Sequence, residues 1–319
     1  MSRVELLTLG YPGFDVIMRT NRAPCVGETA IILEPPGIND PTPGGCAPNI
    51  AVAARRLGVG AAPVIVVGDD EQGLAMQSYL DEEGVDTSCV HVVPGKKTPH
   101  TFLFVDPDGG HQTYYFPGAA DEPIDLVLPD AIFRDLEYGI VTVGNADHTR
   151  QFVDQMVNHD VPVVWSLRND PHAFPQSLVE QLISAAQLLF MNQFEAEQLL
   201  TMLQLTGLDG LFDRGIRTVV LTLGVEGSRI LEPERSLDVP AVPPAALVDP
   251  TGAGDGFVGG MMAGLCLGAD IEDAARLGAV SASFVLEEWG CQTNLPGQGE
   301  ASERYAAAFG QADFLEKGA

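Results

Sequence analysis

A doubly wound, mostly parallel α/β sheet with a small β lid is the fold this sequence predicts. Two observations carry that prediction. From Gly139 onward, short apolar β runs alternate with amphipathic helical patterns, which is the pattern of βαβ units covered on both faces. Hairpin and turn signals cluster in the first third of the chain and stand outside that alternation.

Leu6 to Gly10 reads as a buried strand that ends at a Tyr-Pro-Gly turn. Asp15 to Arg19 and Thr29 to Leu33 read as short strands of a separate small sheet. Asn49 to Leu57 is an alanine-rich helix stopped by Gly58, and Gly73 to Glu83 a helix stopped by Gly84. Between them, Val64 to Val67 is an apolar strand. Thr101 to Val105 and Gln112 to Phe116 flank Asp106-Pro-Asp-Gly-Gly, a hairpin turn. The alternation then runs through strands at Gly139 to Val143, Val161 to Trp165, Leu188 to Met191 and Thr218 to Leu223. Helices follow at Thr149 to Asn158, Ser177 to Ser184 and Glu195 to Leu203. Glu232-Pro-Glu turns a further hairpin. Ala246 to Val248 reads as a strand end, and helices from Gly254 to Leu267 and Ile271 to Leu286 close the pattern.

The 319 residues are 45% hydrophobic and 19% charged, enough to bury a large core in one domain spanning 1–319, with the lid formed from about 12–40 and 96–120. No apolar run is long enough for a membrane span, and the N-terminus lacks a signal-peptide pattern. Five dispersed cysteines without C-x-x-C fit reduced thiols in the cytoplasm. The net charge of −27 would repel a phosphate backbone, which excludes nucleic acid as a partner. With lysine only at positions 96, 97 and 317, the acidic surface suits either an ordinary acidic enzyme or a high-salt setting. A chain this negative has to hold polyphosphate locally, with backbone amides, a few arginines and a metal.

The segment Asp249-Pro250-Thr251-Gly252-Ala253-Gly254-Asp255 supplies such a place. Gly252, Ala253 and Gly254 let the backbone approach a ligand. They open a helix whose first amides are unpaired and lie at the positive end of its dipole, an anion hole for a transferring phosphoryl group. Asp255, in the same first turn, is placed to accept the proton of an attacking hydroxyl. A competing match exists: Gly254 to Gly259 fits G-x-G-x-x-G with Glu272 downstream, the pattern of an NAD-dependent dehydrogenase. There an aspartate would face the pyrophosphate, and the motif falls late in the chain and mostly inside a helix. No G-x-x-x-x-G-K-[ST] occurs, so this is not a P-loop enzyme.

Gly44-Gly45-Cys46-Ala47-Pro48-Asn49 pairs two glycines with an amide side chain that both donates and accepts. Together with Asp249 to Asp255, it resembles the two signature segments of the ribokinase family, the PfkB family of sugar and nucleoside kinases. The resemblance spans nearly the whole chain in order. It implies a ribokinase-like fold and transfer of the γ-phosphoryl of ATP, with Asp255 as base and the amides of Gly252, Ala253 and Gly254 as anion hole. It implies that Asp15, Gly44, Gly45 and Asn49 bind the acceptor. Asn192-Gln193-Phe194-Glu195 matches the family's N-x-x-E, so Asn192 and Glu195 would serve Mg²⁺ and phosphate through water. Thr222, Gly224 and Gly227 match its nucleotide-contacting T-x-G-x-x-G. Asp249, Thr251, Val285, Glu288 and Gly290 sit where the family binds a potassium-like ion by carbonyls. A homodimer through the lid is a further implication.

Locally, Tyr115-Phe116-Pro117-Gly118-Ala119 and Val285 to Gln292 resemble segments of bacterial adenosine kinases, which puts Phe116 at the acceptor. The chain departs from the family at Trp165-Ser166-Leu167-Arg168-Asn169-Asp170, where Asp-Pro is usual. Arg168 there reads either as an acceptor contact or as a surface ion pair. Cys46 stands where ribokinases carry lysine, and no basic cluster for a phosphorylated sugar is present. The expected acceptor is therefore an adenosine-like nucleoside or an unphosphorylated sugar such as fructose or ribose; a non-catalytic ligand-binding protein of the same fold is the other alternative. The histidines show no metal spacing. Phe102, Phe104, Tyr114 and Phe116 alternate along the hairpin, either as one buried face or as a ring-stacking wall.

Overall fold

The computed structural model describes residues 3–33, 41–107, 110–168 and 170–316. Thirteen strands are described: β1 (Leu6–Leu9), β2 (Gly13–Arg19), β3 (Thr42–Gly44), β4 (Ala61–Gly68), β5 (Val90–Val93), β6 (His100–Val105), β7 (His111–Phe116), β8 (Tyr138–Val141), β9 (Val163–Ser166), β10 (Ala186–Asn192), β11 (Thr218–Thr222), β12 (Ser228–Glu232) and β13 (Arg235–Val239). The α-helices are α1 (Cys46–Arg56), α2 (Glu71–Glu82), α3 (Ala146–Asn158), α4 (Gln176–Ala185), α5 (Gln193–Leu203), α6 (Asp209–Phe212), α7 (Ala253–Cys266), α8 (Ile271–Val285), α9 (Gln298–Phe309) and α10 (Asp313–Glu316).

The large sheet has the order β13-β12-β11-β10-β9-β8-β1-β4-β5. Every pairing from β5 across to β11 is parallel, while β12 and β13 join in antiparallel. Alternate residues of one strand enter opposite cores, as the pleat requires. Leu6 packs with Ile50, Phe257, Met261 and Leu277 of α1, α7 and α8. Leu7 and Leu9 pack with Phe152, Leu178 and Leu199 of α3, α4 and α5. This is the doubly wound arrangement expected from the alternating pattern.

The lid is a four-stranded sheet in the order β3-β2-β6-β7. β6 and β7 form the expected hairpin, with His100 opposite Phe116; the turn residues 108–109, and 34–40 of the expected lid, lie outside the described residues. β1 passes straight into β2 and β3 straight into α1, so the lid is tied to the centre of the large sheet.

Several boundaries differ from expectation for identifiable reasons. α1 begins at Cys46, not Asn49, because Pro48 sits in the first turn, where a missing N–H costs nothing. Thr29 to Leu33 forms no strand, only an isolated bridge between Thr20 and Ile32. Ala246 to Val248 is not a strand end either. Pro240, Pro243 and Pro244 withhold donors, and Val248 N instead donates to Leu286 O at 2.8 Å. The short strands β3 and β5 and the helices α9 and α10 have no strong periodic signal in the sequence.

α7 explains the look-alike dinucleotide motif. Its second and third motif glycines face other helices: a Cβ on Gly259 would lie 2.5 Å from the Ala53 Cβ, and one on Gly256 would lie 2.8 Å from a Val285 methyl. They permit close helix packing and cradle no pyrophosphate, so the dehydrogenase reading fails on geometry.

Candidate active site

The carboxyl ends of β1, β8, β9, β10 and β11 share one edge of the large sheet, and the segments leaving them carry most of the residues singled out above. In open parallel sheets that edge is where ligands bind. The N-terminus of α7 meets it.

Gly252 caps α7 in left-handed backbone (φ 81°), and a Cβ there would lie 2.6 Å from the Cys291 Cβ. Only glycine therefore lets this loop press against the segment after α8. Asp255, in the first turn of α7, is 4% exposed. Its Oδ2 accepts a hydrogen bond from Asn49 Nδ2 at 2.8 Å, and its Oδ1 pairs with the Arg168 guanidinium. Asn49 Oδ1 in turn accepts from Gln292 Nε2 at 2.7 Å, which fixes the amide orientation. Three distant segments thus converge on one carboxylate.

Asp15 forms the acceptor side. It is buried, and Cys291 Sγ donates to its Oδ2 at 3.6 Å. Burial pushes its carboxyl up to about 6, and nearby Asp255 and Asp249 add to that; hydrogen bonds from Thr101 and Cys291 oppose the shift. A Cβ on Gly44 would collide with the Asp15 carboxylate, and one on Gly45 (φ 96°) with the Tyr11 carbonyl, so both glycines allow α1 to start against this group. Cys46 lies against Asp255 and Arg168; burial, reinforced by Asp255, pushes its thiol up to about 12, so it stays protonated.

Asp15 is in register with Thr101, and Thr101 with Tyr115, so these three share one face of the lid. Phe116 falls on the other face and is 46% exposed. The aromatic residue on the Asp15 face is Tyr115, whose ring centroid lies 4.8 Å from that of Tyr11. The alternating Phe102, Phe104, Tyr114 and Phe116 do not form a buried face; Leu103, between the first two, is the buried residue.

Asn192 ends β10 and Thr222 ends β11, and the two are register partners. Asn192 caps α5 in a reciprocal box: its Oδ1 accepts from Glu195 N, while Glu195 Oε2 accepts from Asn192 N, both at 2.8 Å. Glu195 Oε1 lies outside that box. Burial raises the Glu195 carboxyl, against the pull of Arg168. A buried carboxylate and an amide oxygen at a helix start suit a hard divalent cation reached through water. Gly224 and Gly227 bracket a 3₁₀ turn with positive φ, and nothing lies within 4 Å of a Cβ placed on Gly224.

Asp249 is buried and accepts from Thr251 N at 2.9 Å and Gly290 N at 3.3 Å. With Val248 N and Asp249 N both donating to Leu286 O, the two expected cation segments are clasped together. Val285 closes α8, while the Glu288 side chain is exposed.

Arg168, which leaves β9, was readable as an acceptor contact or a surface ion pair. It forms an ion pair, with Asp255, in the centre of the site. Cys291 and Gln292 fall in the stretch Val285 to Asn294 expected to offer carbonyls to a potassium-like ion, and the sequence assigns their side chains, like those of Thr101 and Tyr11, no role. Their signal was proximity to quoted motifs, which says nothing about which side chain turns inward.

The sequence profile of the pfkB family of carbohydrate kinases matches residues 39–298. This chain belongs to that family. It is 29% identical over 306 residues to the nucleoside kinase of Methanothermobacter thermautotrophicus, covering 96% of this chain and 97% of that one. It is 28% identical to the ribokinase of Bacillus subtilis, covering 94% and 98%. Among solved structures, the Methanocaldococcus jannaschii nucleoside kinase superposes with a TM-score of 0.82 at 25% identity, covering 96% of this chain and all of that one. The nucleoside kinase of Burkholderia thailandensis, solved with inosine, shares the fold with a TM-score of 0.84 at 24% identity, covering 96% and 98%. As a pfkB kinase the protein is an ATP-dependent phosphotransferase acting on a nucleoside or a sugar. No described helix is long and apolar enough to cross a membrane.

Proposed function

We propose that this pfkB kinase phosphorylates a hydroxyl on the sugar of a free nucleoside. The observation that carries the reading is the Tyr115 ring on the same lid face as Asp15, paired with the ring of Tyr11 from the turn between β1 and β2. An aromatic platform beside a hydroxyl-binding carboxylate suits a ligand with a planar base and a polyol.

In this reading Asp15, Gly44, Gly45 and Asn49 orient the acceptor. Asp255 takes the hydroxyl proton, and the amides of Gly252, Ala253 and Gly254 hold the phosphoryl group. Thr222, Gly224 and Gly227 contact the nucleotide. Asn192 and Glu195 would hold Mg²⁺ through water; when bound, it neutralises charge on the triphosphate. The clasp of Asp249, Thr251, Val285, Glu288 and Gly290 would hold a potassium-like ion by carbonyls. Exposed Tyr114 and Phe116, on one face of β7, support a homodimer through that face of the lid. Five free thiols fit the cytoplasm.

The test is ADP release with ATP and Mg²⁺ across inosine, adenosine, cytidine, ribose and fructose. Turnover of at least one nucleoside well above both sugars is expected. Turnover of ribose or fructose alone would overturn the nucleoside assignment.

A further inference from the structure

We propose that Arg168 is a catalytic residue of the phosphoryl-transfer step, its guanidinium contacting the transferring γ-phosphoryl group. The inference rests on the reading of Asp255 and the start of α7 given above and extends it to a residue outside the family's motifs.

Position is the first argument. A Cβ placed on Gly254 would meet one heavy atom within 4 Å beyond its own helix and neighbours, Arg168 Nη2 at 3.4 Å. The guanidinium therefore lies beside the first turn of α7, on the side that Gly254 leaves open to a ligand. It also lies near Glu195 on the nucleotide side and Cys46 and Asp255 on the acceptor side. A triphosphate reaching from the ends of β10 and β11 to Asp255 passes it.

Chemistry is the second. A guanidinium carries five donors in a planar fork, so it can hold Asp255 Oδ1 and a phosphoryl oxygen together. Its Nη1 donates to Leu167 O at 3.1 Å, and the side chain keeps 30% exposure, so donors remain for a ligand. Burial works to lower its basicity, yet the Asp255 and Glu195 carboxylates hold it above the ordinary value, so it stays cationic. In a chain with a net charge of −27, a fixed cation here offsets repulsion of the triphosphate.

Hydrogen bonds tie down the described residues around Arg168. Leu167 N donates to Phe190 O at 2.9 Å, Asp170 N to Arg168 O at 2.8 Å, and Asp170 Oδ1 accepts from His172 N at 2.9 Å. In the step served, the acceptor oxygen bonds to Pγ as the bond from Pγ to the β–γ bridging oxygen breaks. ADP leaves with that electron pair, and the acceptor proton passes to Asp255.

The experiment compares wild type, Arg168→Ala, Arg168→Lys and Asp255→Asn, using ATP, Mg²⁺ and whichever of inosine, adenosine, cytidine, ribose or fructose wild type turns over fastest. Arg168→Ala is expected to lose about 100-fold or more in kcat with KM for ATP within threefold, as for removal of one transition-state donor. Added guanidinium ion is expected to restore part of that loss, which a structural role would not allow. Arg168→Lys is expected to fall between the two. Independently of turnover, isothermal titration is expected to show Arg168→Ala binding Mg·ADP as wild type does, while losing any extra affinity for Mg·ADP–aluminium fluoride. The inference is overturned if Arg168→Ala keeps kcat within threefold, or if its loss lies in the acceptor KM alone, which would make it an acceptor contact. If Asp255→Asn is also active, or wild type releases ADP with none of the acceptors, the reading beneath fails as well.

Discussion

Asn49 Nδ2 donates to Asp255 Oδ2 at 2.8 Å across 206 residues of sequence, and Gln292 Nε2 donates to Asn49 Oδ1 at 2.7 Å. The relay aims one carboxylate oxygen and leaves the direction of attack to the acceptor. Asn49→Ala should reduce kcat by roughly 10- to 100-fold, the cost of misplacing a reacting group. Gln292→Ala should give a smaller loss in the same direction, because it acts through Asn49. Steady-state kinetics on both variants, with circular dichroism to confirm folding, checks the order.

Asp15 gives the pH dependence. Its folded-state value is raised from 3.8 to about 6 by burial, with Asp255 and Asp249 contributing. Between those values the folded chain keeps a proton that the unfolded chain has lost. Its contribution to stability is therefore fully present below the lower value and is lost as pH rises through the upper one. Binding runs the other way, since the ionised carboxylate is the better hydroxyl acceptor. The kcat/KM for the acceptor should fall as pH drops through about 6. Asp15→Asn should lower kcat/KM and abolish that limb.

Two glycines of one loop should respond oppositely. Gly252→Ala places a Cβ at φ 81° and 2.6 Å from Cys291, so it should cost about 1–3 kcal/mol of stability and lower Tm. Gly254→Ala meets little but Arg168 Nη2 at 3.4 Å, so Tm should hold while kcat falls at least tenfold, the methyl group occupying the anion hole. Thermal melts beside turnover distinguish the two.

The clasp around Asp249 should make activity depend on monovalent cation. Replacing potassium by tetramethylammonium at constant ionic strength should lower kcat severalfold, and Asp249→Asn should weaken the response. A flat cation profile in wild type would remove the ion from the account.

What the sequence showed and hid follows from which interactions are local. The α/β alternation was legible because apolar period and turn residues are written into each segment, and the helix-opening loop because Gly252 takes a left-handed backbone pressed against Cys291. The strand at Ala246 to Val248 was misread because an apolar triplet looks the same whether it pairs in a ladder or is held by Leu286 O. Phe116 was preferred to Tyr115 because a one-residue shift reverses the face, and only the register of β2, β6 and β7 fixes it. Gln292 and Arg168 act through contacts 243 and 87 residues away in sequence, which no local pattern encodes.

The central claim is that Asp255 takes the acceptor proton as phosphate is transferred from ATP. The most direct measurement is ADP release by folded Asp255→Asn with the acceptor that wild type prefers. A fall in kcat of at least about 100-fold, with ATP binding retained, is the predicted result. Turnover within a few-fold of wild type would contradict it.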